Sequence, residues 1–317
     1  MVIVHIKEFN YLVKTMKKIN ISILLVLLVL TSISLVTAQR KRPLVKPKPI
    51  VFAVLNDGQT LEPIGEINKG ELIATVNGGD EPKALTNFAG MYYKPKTTYN
   101  LIFGGAINGT VTVKSSDTKS DCAKNLAQVS TQSTKAKLKG FVMGLATNEK
   151  TAKTASGVRR LPTAAERAEI ESLVRAEFAK QKVSANAIKN LKYYNLTALD
   201  VDNDGTAEMV GSFWVESSAK ERNLLFFIAD KNGDGKYSFG YSDYAKVTPD
   251  KIMSGELKDL DELGGELLLD SLEYNGDTTA EIFTISKAFE GNNFHVYSRQ
   301  DGKWTRVFES YNYHCAF

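Results

Sequence analysis

The residues best suited to chemistry in this 317-residue chain lie between Asp200 and Glu208. Asp200, Asp202 and Asp204 alternate there, Gly205 follows, and Thr206 and Glu208 take the seventh and ninth positions. Calcium is a hard cation that takes about six to eight oxygens at roughly 2.3–2.6 Å. Acidic side chains at alternate positions of a tight loop converge on one point. A glycine then allows the sharp turn, and a backbone carbonyl (Thr206) and a later carboxylate (Glu208) close the shell. Three aspartates this close repel one another unless a cation sits between them. A plain Asp-Gly turn needs only one aspartate, so this loop is expected to bind metal, with Ca2+ in a structural role.

Two weaker loops echo the first. Asp230, Asn232 and Asp234 alternate in the same way, Gly235 follows, and Lys236 offers the seventh-position carbonyl. Ser238 and Tyr241 stand where a closing carboxylate would be, so a lower affinity is expected. In the third loop, Glu273, Asn275, Asp277 and Glu281 hold the corresponding positions. Its tail, Asp277 to Glu281, parallels Asp204 to Glu208, but glutamate replaces the first aspartate and the turn glycine has moved to Gly276. This loop has the weakest claim on an ion.

Apolar runs flank the loops: Leu191 to Leu199 and Met209 to Val215 around the first, Leu224 to Ala229 before the second, Ile282 to Ile285 after the third. An acidic loop, a glutamate and an apolar strand, recurring over about residues 190–310, resemble the FG-GAP/VCBS repeats of integrin-like β-propeller blades. The resemblance implies that each loop joins adjacent strands of a blade and that calcium stiffens the blade edge. It also implies that Phe294 to Ser298 and Trp304 to Phe308 form a closing meander around Asp301-Gly302-Lys303. The loops start at 200, 230 and 273, unevenly, and three units fall short of the roughly four to eight blades of a closed propeller. An antiparallel sheet or partial propeller is therefore expected.

A helix should cover one face of that sheet. Thr163 and Glu166 form a capping box, and Ile170, Leu173, Val174 and Phe178 share one helical face. Upstream, residues 50–147 read as short strands at Ile50 to Leu55, Leu72 to Val76, Tyr99 to Phe103, Thr110 to Val113 and Phe141 to Ala146. Their spacing predicts a small barrel or sandwich. Gly104-Gly105 after a strand suggests phosphate binding or a tight turn, and the turn is the expected role. Tyr237, Phe239, Tyr241 and Tyr244 are expected on a buried strand face, with a glycan-binding face as the rival. The fold class is thus mainly β, α+β overall: a β-rich domain at 50–147, a linker at 148–158, and a helix plus acidic-loop β domain at 159–317.

Before residue 50 the composition changes. Met16-Lys17-Lys18, the apolar run within Ile19 to Val36, and Val36-Thr37-Ala38 read as a secretory signal peptide, starting at Met16 and cleaved before Gln39. Residues 39–49 form a basic, proline-spaced linker. The formal charge is +4, but residues 1–38 hold four lysines and one glutamate, which leaves +1 on the mature chain. No nucleic-acid footprint follows from that balance, and no membrane span is expected once the leader is removed. Cys122 and Cys315 either pair after export or remain as buried thiols. Beyond the leader only His295 and His314 remain, with no HExxH or GxSxG pattern, so no catalytic residue is assigned. These features describe a secreted, periplasmic or cell-surface, non-enzymatic calcium-binding module with a structural role or a protein, polysaccharide or cell-envelope partner. The alternatives are a secreted carboxylate- or metal-dependent hydrolase and a membrane-anchored envelope protein.

Overall fold

A computed structural model of the protein describes residues 46–149, 157–263 and 265–315. The leader, its cleavage position and most of both linkers lie outside the described residues. Pro47–Phe317 forms one compact unit.

The unit is mainly β and begins with a closed barrel. Its strands are β1 (Ile50–Leu55), β2 (Thr60–Asn68), β4 (Thr98–Phe103), β5 (Ala106–Ser116), β6 (Ala127–Gln132) and β7 (Gly144–Thr147). They run in the order β1-β7-β4-β5-β6-β2, and antiparallel pairing of β1 with β2 closes the ring. A short β3 (Glu71–Ala74) hangs from β2. The unbroken apolar run of β1 follows from burial on both faces. Ile50, Phe52 and Val54 point into the barrel, whereas Val51, Ala53 and Leu55 pack outward against another sheet.

Helix α1 (Pro82–Tyr92), which strand patterning did not reveal, begins with proline in its first turn and sends Phe88 and Tyr92 into the barrel core. There they meet Phe52, Tyr93 and Tyr99 in an aromatic cluster. The Tyr93 hydroxyl donates to the Asn125 carbonyl at 2.9 Å, and the Tyr99 hydroxyl to the Tyr92 carbonyl.

Two antiparallel meanders follow. The first is β9 (Lys192–Leu199), β10 (Glu208–Ser218), β11 (Glu221–Lys231) and β12 (Tyr237–Val247), with β8 (Arg159–Arg160) added beside β9. The second is β13 (Glu266–Leu272), β14 (Glu281–Ala288), β15 (Gly291–Gln300) and β16 (Lys303–Tyr313). Period-two alternation gives each meander two apolar faces. Val210, Phe226 and Ile228 of the first pack on Leu268, Ile282 and Tyr297 of the second. The far face of the second carries Leu267, Leu269, Phe283 and Phe294 onto the barrel. The far face of the first receives Ile170, Val174 and Phe178 of helix α2 (Ala164–Lys180). That helix starts at a reciprocal capping box: the Glu166 amide donates to the Thr163 hydroxyl at 3.2 Å, and the Thr163 amide to the Glu166 carboxylate at 2.7 Å. The layers are therefore barrel, second meander, first meander and helix.

Polar ties cross these layers. Asp270 of β13 is fully buried and accepts from Arg159 at 2.6 Å, from the Gly104 amide at 3.1 Å and from the Gly105 amide at 2.9 Å. Gly104 and Gly105 both have positive φ, 68° and 72°, and a Cβ on Gly104 would lie 2.8 Å from the Gly157 carbonyl oxygen. The glycine pair is thus a turn whose amides are used inside the protein. Near the C-terminus, Cys122 and Cys315 are joined by a disulfide that spans 193 residues of sequence. Closing so long a loop restricts the unfolded chain by ~5 kcal/mol in the chain-entropy picture. Beside it, His314 Nε2 lies 2.8 Å from the buried Glu62 carboxylate, which also accepts from Asn292 at 2.8 Å.

Asp270→Ala leaves the Arg159 guanidinium buried without its carboxylate. It should cost about 3–5 kcal/mol, read as a lower urea midpoint, whereas a shift under about 1 kcal/mol would deny Asp270 this role. A second expectation concerns pH. Burial alone would lower the His314 pKa, but the hydrogen bond and charge of Glu62 outweigh it and raise the pKa. The stabilisation is complete below the unfolded value of about 6.5 and is lost as pH rises through the raised native value. Urea unfolding at pH 6 and pH 9 should show a decline that His314→Gln removes; an equal decline in that variant would discount the pair.

Candidate metal centre

The Asp200–Glu208 loop joins β9 to β10, and it is built by hydrogen bonds between its carboxylates and its own amides. Gly205 donates to Asp200 at 3.2 Å, Asp204 to Asp202 at 3.3 Å, Thr206 to Asp204 at 2.6 Å, and Val201 to Glu208 at 3.2 Å. Asn203 and Gly205 adopt positive φ, 61° and 84°, which folds the loop back on itself. One oxygen from each of Asp200, Asp202 and Asp204 then lies within 4.8 Å of the other two. Asp200 and Glu208 are buried at the loop base, while Asp202 is half-buried and Asp204 exposed. Fixing one oxygen of each carboxylate with an amide sets the direction of the other, as a hard-cation site requires.

The third loop joins β13 to β14, the corresponding first connection of the second meander, and its backbone repeats the first. Gly276 and Thr278 take positive φ, 92° and 76°, at the positions of Asn203 and Gly205. Tyr274 donates to Glu281 at 3.4 Å, Asp277 to Asn275 at 2.8 Å and Thr279 to Asp277 at 2.9 Å, each matching a bond of the first loop. Glu273 accepts from the Gly276 amide. The loops also touch, because Ala280 donates to the Val201 carbonyl at 2.8 Å. What differs is the centre: the Asn275 side-chain amide donates to both Asp277 and Glu281. A neutral donor therefore stands between the two carboxylates. Burial, with the charges of Asp277 and Glu273, pushes the Glu281 carboxyl up to about 8.

The second loop joins β11 to β12 and is arranged differently. Asn232 donates through its amide to the Lys236 carbonyl at 2.7 Å and accepts from the Ser238 hydroxyl at 3.0 Å. The Lys236 amide donates to Asp234 at 3.1 Å. Asp230 engages neither Asn232 nor Asp234. Its carboxylate accepts from Trp304 Nε1 at 2.9 Å and from Arg299 at 2.7 Å. Gly240 makes room for it, since a Cβ there would lie 2.1 Å from Asp230 Oδ2.

Arg299 is the residue that sequence reading missed. It lies in β15, and its guanidinium donates to Asp202, Glu208 and Asp230, each at 2.7 Å, while resting 4.9 Å from the Trp304 ring centroid. Burial works against its charge, but Glu208, Asp230 and Asp202 outweigh burial and raise its pKa. Glu208 shows the opposite balance: burial pushes its carboxyl up to about 7 despite Arg299. Between the first and second loops lies a cleft of about 450 Å³ lined by Asp202, Asp204, Glu208, Asp230, Arg299 and Lys303. A cation held by the first loop would share Asp202 and Glu208 with Arg299 or displace it. No local spacing marks Arg299, because its partners lie 69 to 97 positions away in sequence.

No protein family, characterised protein or solved structure matches this chain.

Arg299→Met removes the charge shared by three carboxylates. With EDTA present it should lower stability by about 2 kcal/mol, an amount tempered by the partial exposure of the site. Arg299→Lys, with a point charge in place of the planar fork, should recover only part. Urea unfolding of both variants checks this, and a methionine variant as stable as the parent would contradict it.

Proposed function

We propose that this protein is an exported calcium-binding β module, non-enzymatic, whose acidic loops fasten the ends of its stacked meanders. The observation that carries the reading is the convergence of Asp200, Asp202 and Asp204 within 4.8 Å, in a loop whose amides orient each carboxylate. Thr206 would add a backbone carbonyl, whereas Glu208 lies outside the group of three and is held by the Val201 amide and Arg299. The second loop contributes Asp230 to the neighbouring charge network, and the third keeps the same backbone with a neutral amide at its centre. This difference supports one principal ion rather than three.

The FG-GAP/VCBS resemblance supports the same reading. The first and third loops each join adjacent strands of a four-stranded meander, as the resemblance implies for the loops of a blade. The leader favours export, where millimolar-range calcium sites are useful. A structural rather than catalytic role is favoured by the two histidines beyond the leader, His295 and His314. His314 is bound to Glu62, and His295 Nδ1 lies 3.1 Å from Glu266, which also accepts from Thr284 at 2.6 Å and Tyr297 at 2.7 Å. Among the described residues, no helix is long and apolar enough to cross a membrane.

Thermal unfolding in EDTA, calcium and magnesium tests the proposal. Calcium at about a hundredfold excess over Kd should add roughly 2.7 kcal/mol to the folded state, with less from magnesium. Asp202→Ala with Asp204→Ala should abolish the calcium-specific rise. Identical curves in EDTA and calcium would overturn the metal reading.

A further inference from the structure

We propose that the outer face of β4, β5 and β6 binds a linear anionic polysaccharide. This surface lies on the barrel, and the inference does not rest on the metal loops.

The near-neutral total charge conceals a segregation. Residues 94–139 contain eight lysines and two aspartates, whereas residues 191–281 contain nineteen acidic and eight basic residues. Among the described residues, none of those eight lysines is ion-paired: the pairs use lysines 48, 180, 246 and 258. Lys94, Lys96, Lys114, Lys119, Lys135, Lys137 and Lys139 are all exposed.

The fold places five of these lysines, Lys96, Lys114, Lys135, Lys137 and Lys139, toward the two ends of one surface. Pairing of Lys96 N with the Val113 carbonyl at 2.9 Å extends the β4–β5 ladder and sets Lys96 beside Lys114. At the opposite end, beyond Gln132, Ala136 and Leu138 pack against the barrel core. That alternation turns Lys135, Lys137 and Lys139 outward. Between the ends, the register aligns Thr98, Thr112 and Ser130 in one row and Asn100, Thr110 and Gln132 in the next. These side chains are opposite in phase to Val111, Val113 and Val129, which fill the barrel. Ile102, the next outward residue of β4, is buried against the second meander, so the open surface ends there and presents uncharged hydroxyl and amide groups flanked by cations.

That chemistry suits a chain of hydroxyl-rich sugars bearing sulfate, phosphate or carboxylate groups. The hydroxyl and amide rows match sugar hydroxyls, and the lysines act as point charges toward the anions. Single-stranded nucleic acid fits less well, because it calls for exposed aromatic rings on which bases stack. The rings of Phe52, Tyr92, Tyr93 and Tyr99 are all buried in the core. A membrane surface also fits less well, since Ile107 is the only large exposed hydrophobic residue between positions 94 and 139.

The test is fluorescence anisotropy of labelled dextran sulfate with the purified protein in EDTA, at 50 and 200 mM salt, with neutral dextran as control. Dextran sulfate should bind, and binding should weaken at the higher salt. Lys96→Glu with Lys114→Glu and Lys137→Glu should weaken it at least tenfold and flatten its salt dependence. Lys220→Glu with Lys251→Glu, on the acidic half, should leave it within about twofold. Equal urea midpoints for both variants would show that folding is intact; if the triple glutamate variant is unstable, the triple glutamine variant replaces it. The proposal is overturned by no binding of dextran sulfate at 50 mM salt or by equal loss in the control variant. It is also overturned if the same lysines bind only anionic phospholipid vesicles, or only the acidic half of a second copy, seen as lysine-dependent self-association by sedimentation.

Discussion

Asp270 lies fully buried where the barrel, the second meander and the short β8 strand come together, and its carboxylate accepts from the Gly104 and Gly105 amides of the barrel, from Arg159 of β8 and from the Ser271 amide of its own strand. A carboxylate in that position is tolerable only if its charge is met and its lone pairs are filled. Arg159 supplies the charge and reaches on to the Met143 and Leu269 carbonyls. Gly104 and Gly105, both at positive φ, supply the amides, and a side chain on Gly104 would meet the Gly157 carbonyl. The adjoining apolar layers are non-directional, so their register rests on directional ties such as this node and the Glu62 bonds to Asn292 and His314. It also consumes the features that a glycine pair would otherwise offer to a phosphate.

The stacking of layers explains the composition of the strands. A strand with one wet face alternates apolar and polar residues, whereas β1, β10, β13 and β14 are buried along most of their length. Each lies between two apolar neighbours. Water-facing polarity is left to the far side of the barrel, to the edge strands and to the outer surface of helix α2.

The acidic loops show one backbone put to two uses. The first and third share positive-φ positions and amide-to-carboxylate bonds, and they lie at the same step of successive meanders. In the first, like charges converge and Arg299 offsets them from a neighbouring strand. In the third, Asn275 bridges Asp277 and Glu281 without adding charge, and Glu281 takes up a proton more readily as a result of its burial. Both solve the same electrostatic problem, that carboxylates at a buried loop base need a donor or a cation among them.

The residues alone determined whatever depends on neighbours in sequence. The mainly β class, the helix with its Thr163–Glu166 box, and the turn positions of the acidic loops are set by periodicity, capping chemistry and glycine placement, all local effects. Strands β2, β6 and β13 and helix α1 escaped that reading. Glu62, Asp270 and Gln128 interrupt the apolar pattern of the strands, and Tyr92 of the helix finds its role only inside a closed barrel. Tertiary structure decided the closure of the barrel through β1, the joining of Cys122 to Cys315, and the use of Gly104-Gly105 by Asp270. It also decided that Asp230 turns away from its own loop toward Arg299 and Trp304. The physical reason is common to all of these. Each depends on which distant groups burial brings into hydrogen-bonding range, and a one-dimensional pattern records the need for a partner but not which partner meets it.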